Sequence, residues 1–389
     1  MSSHAKLAPS AAHRWMSCPG SVAAEQVYQR TYGEQDAGEA AQVGTALHDA
    51  AARAIHYNGD RGWEDMLLGD YIEGVTIETE HLRWIRPYVE YIRREMPRCE
   101  AVLVEQRVEY NEHIYGTADA LLVRGDELRV VDLKTGYHEV PAKANKQLQI
   151  YAVAALNTFD LDHIEVITME IWQPRLRAKP LRWSVNRRTL EGFIDLMMNA
   201  VQASNQPDAP RIPSDEACHW CTAKATCTEL RDFVYGEALR DFEEIAVGDL
   251  GEAYAALPLI ETYVKGVRAL AEQRLRDGLP LPGYKLVQGR RGKRQWRDLQ
   301  EAERYFKARV YRANDLLYKK TFLSPTQMEL ELGGHAKFKK PLNERWVDEL
   351  CVQGIGKSTV VSDDDPRPDL RETESPETAA EAFSDIKLD

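Results

Sequence analysis

Apolar residues between 39 and 57 recur at steps of three and four. Ala46, Leu47, Ala50, Ala51, Ala54 and Ile55 fall on one side of a helical projection, with His48 among them. The pattern predicts a helix with one buried face. A second helix is predicted over 78–95, stopped by Pro97. The period then changes. Residues 101–110, 116–123 and 128–134 have strand character, with Gly125-Asp126 as the turn between the last two. A helix over 142–156, a strand over 164–172 and a helix over 187–203 follow. Near the start, Ser10 is placed to cap a short helix that Pro19-Gly20 ends, leaving Cys18 at its C-terminal edge. This order predicts an α/β core over residues 1–230. A mainly helical region over 231–361 comes next, with a long helix over 249–277 closed by Gly278 and Pro280. Residues 362–389 are rich in Asp, Glu, Ser, Thr and Pro and predict a disordered acidic tail.

Composition narrows the class. The chain has 389 residues and is 43% hydrophobic, enough to fill a core. No apolar run approaches ~18 residues, so no membrane span is expected. The first residues lead into no apolar signal segment, so a cytoplasmic protein is expected, and disulfides are not. Net charge is −12, but it is unevenly spread. Residues 285–320 hold twelve Lys/Arg against four Asp/Glu, whereas 362–389 hold ten acidic residues against three basic.

Two constellations carry chemistry. The first is Gly116-Thr-Ala-Asp119 followed by Asp132-Leu-Lys134. Asp132 and Lys134 are two apart on one strand and share a face. If the two strands pair, both carboxylates converge into a hard oxygen site suited to Mg²⁺ or Mn²⁺, with a lysine beside it. The plainer reading is an exposed hairpin with a surface Asp–Lys pair. The apolar residues around Asp132, namely Val130, Val131 and Leu133, favour the functional reading. Glu105 and Glu109 lie on the preceding strand, where either could approach the metal, but both read more simply as ordinary strand residues.

The second is Cys218-His-Trp-Cys221-Thr-Ala-Lys-Ala-Thr-Cys227, with Cys18 some 200 residues upstream. Closely spaced thiols in a reducing compartment read as a metal or cluster site. Three thiolates leave such a site one ligand short. Cys18 is the natural fourth, because Cys99 and Cys351 stand alone in the sequence.

The ordered set His48, Asp119, Asp132-x-Lys134 and Gln147-x-x-x-Tyr151 resembles the RecB-like branch of the PD-(D/E)XK nucleases. The resemblance implies a restriction-endonuclease-like core, a central mixed sheet flanked by helices. It implies that His48, Asp119, Asp132 and the backbone carbonyl of Leu133 ligate the divalent ion. Lys134 would position the attacking water and stabilise the transition state, and Gln147 and Tyr151 would support the lysine or contact DNA. Without the resemblance, His48 reads as a core histidine.

The cysteine spacing is similar to an iron–sulfur subgroup of the same branch (AddB-type), which implies a 4Fe–4S cluster on Cys18, Cys218, Cys221 and Cys227. The alternatives are Zn²⁺, with His219 able to replace one thiolate, and unmetallated core cysteines. The opening Leu7-x-Pro-Ser-x-x-His-Arg-Trp-x-x-Cys-Pro-Gly-Ser and the later Gly283-Tyr-Lys-Leu resemble an uncharacterised group of phage-encoded RecB-like proteins, which implies the host cytoplasm.

The implied activity is a metal-dependent deoxyribonuclease, an exonuclease in phage-type recombination or DNA end processing. The implied partners are DNA and a single-strand annealing or single-strand-binding protein. The rival is a catalytically inactive DNA-binding or assembly protein on a nuclease scaffold. In the C-terminal third, Arg290, Arg291, Lys293 and Arg294 with Trp296 form a candidate DNA-binding run, against the reading of a solvated charged hairpin. Gly354-Ile-Gly-Lys-Ser358 imitates a P-loop, but Cys351 stands where its first glycine belongs, so no ATP binding is expected.

Overall fold

The computed structural model describes residues 5–33, 38–238, 247–289, 292–309, 317, 322–325, 327–328, 346–352, 356–362 and 365–370. It divides into two compact units, Met1–Val267 and Arg268–Asp389.

The first unit is built on a five-stranded mixed sheet of β1 (Ala101–Asn111), β2 (Ile114–Arg124), β3 (Glu127–Leu133), β4 (Val166–Trp172) and β5 (Leu181–Asn186), in that spatial order. Pairs β1–β2, β2–β3 and β4–β5 are antiparallel, and β3–β4 is parallel. Five main helices flank it: α1 (Ser21–Tyr32), α2 (Glu39–His56), α3 (Thr79–Glu95), α4 (Lys146–Thr158) and α5 (Arg187–Ser204). The architecture is the α/β one expected, a mixed sheet between helices. Ser10 does not cap a helix. It lies inside a 3-10 turn over Pro9–Ala11, which runs into a four-residue helix, Ala12–Trp15, with no side-chain cap at either start.

Strand alternation explains the two faces. Leu121, Val123, Leu128 and Val130 pack on the side of α4 and α5. Their neighbours Ala120, Leu122, Val131 and Leu133 pack against the buried faces of α2 and α3. The alanines of α2 bring it close to α3, whose start is fixed by a reciprocal capping pair of Glu78 and His81. Helix α4 supplies the crossover between parallel β3 and β4. Asn145 caps it by accepting from the Leu148 N–H at 3.1 Å. Every residue from Leu148 to Ala155 in α4 is buried, so this helix runs through the interior rather than over the surface.

The first unit extends beyond residue 230. It takes in Thr228–Ala238 and most of the helix Val247–Arg276, which continues into the second unit. Within the second unit, Tyr284–Gly289 pairs antiparallel with Gly356–Ser362. An aromatic cluster of Trp296, Phe306, Phe322 and Trp346 fills its core. Ser362 ends a strand and Asp369 bridges Val287, so the stretch expected to be disordered from 362 has structure at its beginning. Residues 371–389 lie outside the described residues. No helix among the described residues is long and apolar enough to cross a membrane.

Candidate metal centre and the cleft beside it

Three strands and one helix deliver the acidic site. Helix α2 presents His48 from between its buried alanines. Its Nδ1 lies 3.2 Å from Asp119 Oδ1 on β2 and 3.8 Å from Glu105 Oε1 on β1. One donor atom from each of the three falls within 4.8 Å of the others, so the set can hold a metal ion. Asp119 is fixed from behind, because its Oδ2 accepts the Leu133 N–H at 2.7 Å.

The ladder runs Val104↔Ala120 and Gln106↔Ala118, which leaves Glu105 facing Asp119 where pairing is interrupted. Glu105 there adopts φ +48°, a left-handed conformation unusual for a non-glycine strand residue.

The electrostatics mark the site as a place for positive charge. Burial alone would lower the His48 pKa, but the Asp119 charge and hydrogen bond, and then Glu105, raise it to about 10. Burial opposes ionisation of Asp119, yet His48 and then Lys134 hold its pKa below the ordinary carboxylate value. Tyr88 reports the same cluster from the core. Its phenol is pushed well up by burial first, then by Asp119, Glu105 and Asp132.

Asp132 and Lys134 form a second pair on the face that meets α4. The Lys134 ammonium donates to Asp132 Oδ1 at 2.9 Å, lies 2.7 Å from Oδ2, and donates to Gln147 Oε1 at 3.2 Å. Gln147 Nε2 in turn donates to the Tyr151 hydroxyl at 3.4 Å. Burial drives the Asp132 pKa up to about 6, with the Asp119 charge adding to the rise and Lys134 opposing it. Gly116 lets the chain close. A Cβ there would lie 3.1 Å from the Tyr151 ring and 3.2 Å from Pro9.

Two of the expected ligands, His48 and Asp119, therefore come together with Glu105. The structure gathers His48, Asp119 and Glu105, while Asp132 is paired with Lys134 and is not one of the three mutually close donors. Glu105, which reads from the sequence as an ordinary strand residue, is one of the three.

Lys134 and Gln147 also line a cleft of about 920 Å³ in the first unit, bounded on another side by His138, His219 and Trp220.

The four cysteines meet in the same unit. Cys18, Cys218, Cys221 and Cys227 all line one small cavity of about 20 Å³. Residues 18–21 are drawn onto the distant segment by backbone contacts. Gly20 N–H donates to Pro210 O at 2.9 Å, and the Ile212 N–H reaches Cys18 Sγ at 3.2 Å. Only glycine permits this approach, since a Cβ at Gly20 would lie 2.5 Å from Ala209 O. Burial raises all four thiol pKa values, that of Cys221 to about 12. None of the four is in a disulfide. Among the described residues, no three of their sulfurs lie within 4.8 Å of one another.

In the basic run, Arg290 and Arg291 lie outside the described residues. Trp296, expected to stack on bases, instead packs among Phe306, Phe322 and Trp346, and its Nε1 donates to Leu323 O at 3.0 Å. Its ring is committed to the core of the second unit. Lys293 is exposed and Arg294 half-buried.

The family model described as "Protein of unknown function (DUF2800)" matches residues 4–368. Similar solved structures include the crystal structure of LHK-Exo in complex with dAMP, at 11% identity and a TM-score of 0.21, covering 42% of this chain and 92% of that one. They also include the crystal structure of SSO0001, at 18% identity and a TM-score of 0.23, covering 47% of this chain and 84% of that one. Both scores are below 0.5, so the chemistry has to rest on this chain's own residues.

Proposed function

The chain belongs to the DUF2800 family, and from the site it carries we propose that it is a metal-dependent deoxyribonuclease, an exonuclease that hydrolyses phosphodiester bonds in recombination or DNA end processing. One observation carries the reading: His48, Glu105 and Asp119 converge within 4.8 Å, with the Asp132–Lys134–Gln147 chain on the adjoining strand end. The motif resemblance supports DNA as substrate and strand ends as the point of attack.

The donor set fits a divalent cation. Two carboxylates and an imidazole are suited to Mg²⁺ or Mn²⁺. They already hold His48 in its cationic form, so a proton occupies the place a dication would fill better. Bound there, the ion supplies positive charge that stabilises the charge developing on the phosphoryl group. Asp119 and Glu105 would hold the ion, and His48 would complete the set from α2. Lys134 faces the cleft with its ammonium aimed by Asp132 and Gln147, so it donates to a phosphate oxygen or to the attacking water. Tyr151 orients Gln147 and with it the lysine.

The four cysteines are assigned a structural 4Fe–4S cluster in this reading. The reading rests on the resemblance of the cysteine spacing, with all four cysteines lining one small cavity. The Ile212 N–H on Cys18 Sγ is the kind of donor that stabilises a metal thiolate. Held together, the four tie residue 18 to residues 218–227 and close the ends of the nuclease core.

The test is incubation of end-labelled linear DNA with Mn²⁺. The wild type is expected to release nucleotides from ends, chelator to abolish this, and Lys134→Ala to be nearly inactive. Absence of cleavage by the wild type, or equal cleavage by Lys134→Ala, rejects the enzyme.

A further inference from the structure

The cysteine loop does more than close the fold. Between the buried Cys218 and Cys221 it carries His219 and Trp220, and Trp220 is 55% exposed. The two rings form an edge contact with centroids 4.6 Å apart. A third ring arrives from a different part of the chain. His138, in the connection between β3 and α4, stacks on His219 at 5.5 Å with planes 25° apart and meets Trp220 edge-on at 6.3 Å.

All three rings line the cleft that Lys134 and Gln147 also line. The loop is anchored from below: Arg14 donates to Trp220 O at 3.4 Å, and Lys224 Nζ to His219 O at 2.7 Å. Gln173 fixes the other side by donating to His138 O at 2.9 Å.

An indole left 55% exposed beside two imidazoles contributes little to packing. The charges in the cleft point the same way. Lys146 is already paired with Glu216 at 2.8 Å, and Arg14 with Glu25 at 2.7 Å. With Glu139, Asp215 and Glu216 lining the cleft beside Arg14, Lys134, Lys143 and Lys146, the charges nearly balance and make a weak phosphate track. A nucleic-acid strand entering here would gain most from its base faces, which stack on aromatic rings irrespective of sequence. Bases within a duplex have no free faces to offer.

We propose that Trp220, His219 and His138 form a base-stacking platform that seats the unpaired end of a nucleic-acid strand in the cleft leading to Lys134. The inference rests on the nuclease reading for the reason a strand would enter, but the binding step needs no cleavage. The cysteine loop is then both a staple and the mount of a substrate-binding surface.

The experiment measures binding of a fluorescent single-stranded DNA oligonucleotide, and of the same sequence as a blunt duplex, by the full chain in chelator so that nothing is cut. Trp220→Ala is expected to weaken single-strand binding about 5- to 100-fold, the range of one lost stacking interaction. Trp220→Phe is expected to retain most of the affinity. His138→Ala, which lies outside the cysteine loop, is expected to weaken binding independently of any effect on that loop. Duplex binding is expected to be insensitive to all three. An unchanged single-strand affinity in Trp220→Ala, or an equal loss on the duplex, overturns the platform. A wild type that binds with these dependences but never cleaves removes the nuclease reading and leaves the platform standing. Normal cleavage with binding indifferent to Trp220 and His138 does the reverse.

Discussion

Glu105 faces Asp119 across the β1–β2 pair because of a one-residue irregularity near the hairpin turn. Asn111 pairs with Ile114 at the turn, but Glu109 pairs with Tyr115, so the register shifts by one around Tyr110. Without that shift, Glu105 would stand opposite Ala120. The extra residue therefore converts an ordinary strand glutamate into part of an acidic site. If Glu105 holds the cation, Glu105→Gln should weaken Mn²⁺ binding by about 10-fold or more while leaving the fold intact, within the range typical of groups that tune a metal site. Calorimetric titration of both proteins with Mn²⁺ checks this, and equal affinities would make Glu105 a bystander.

Register also explains what could be read in the chain beforehand. Helices α2 and α3 and strands β1 to β4 follow from local periodicity, and each lies within a few residues of its expected position. Asp132 beside Lys134, and Gln147 beside Tyr151, follow from spacing alone, as residues two apart on a strand and four apart on a helix. Glu105 did not follow, because a bulge has no sharp local signature. His138 joins His219 from 81 positions away, which no local pattern encodes. Strand β5 is absent from the expected order, although Leu181, Trp183 and Val185 alternate with polar residues. Trp296 misled because an aromatic next to basic residues reads identically whether it stacks on a base or on Phe306.

The His48 imidazolium sets a pH dependence with a definite sign. In the metal-free protein its pKa is raised from 6.5 to about 10. The stabilisation from its pairing is therefore complete below pH 6.5 and is lost as pH rises through about 10. Metal-free wild type should lose thermal stability over that window, and His48→Asn should show a flatter profile. A metal ligand must be neutral, so Mn²⁺ binding near pH 8 should expel about one proton. Calorimetry in two buffers of different ionisation enthalpy measures that proton directly. Zero release would mean the ion binds elsewhere.

Lys134 separates catalysis from metal binding. Its ammonium lies against Asp132, which is 1% exposed and whose carboxyl burial already pushes up to about 6. In Lys134→Ala the loss of the opposing charge should leave Asp132 protonated at neutral pH. Cleavage should fall about 10²- to 10³-fold, the scale of losing one preorganised transition-state donor. Mn²⁺ affinity should hold or rise, because a nearby positive charge is gone. Single-turnover cleavage and metal titration on the same variant test the split, and a parallel loss of both would reduce Lys134 to a structural role.

Cys18, Cys218 and Cys221, which are buried, and the half-buried Cys227 make a compositional prediction. Their thiols are pushed above their ordinary pKa by burial, so without a metal they are neutral and unreactive. Protein purified without oxygen should contain about four irons and four sulfides per chain. Cys18→Ser should lower that content and the melting temperature together, since Cys18 is the ligand that spans from the chain's start to residues 218–227. Stoichiometric zinc in a colourless protein would reassign the site to a single ion.

Gly116 offers a test of the line from core to lysine. An alanine Cβ there would press on Tyr151 at 3.1 Å and Pro9 at 3.2 Å, and both are buried. Tyr151 cannot retreat, because α4 is buried on either side of it from Leu148 to Ala155. Gly116→Ala should cost about 1–3 kcal/mol, typical of overpacking a core, and should turn the Tyr151 hydroxyl away from Gln147. Gln147 then loses the partner that orients it toward Lys134, and cleavage should fall. Mn²⁺ affinity should not change, because His48, Glu105 and Asp119 lie outside this chain of contacts. Tyr151→Phe keeps the ring and removes only the hydroxyl, so it should reproduce the activity loss with little change in melting temperature. If Tyr151→Phe cleaves at the wild-type rate, the effect of Gly116→Ala is packing alone and Gln147 orients the lysine unaided.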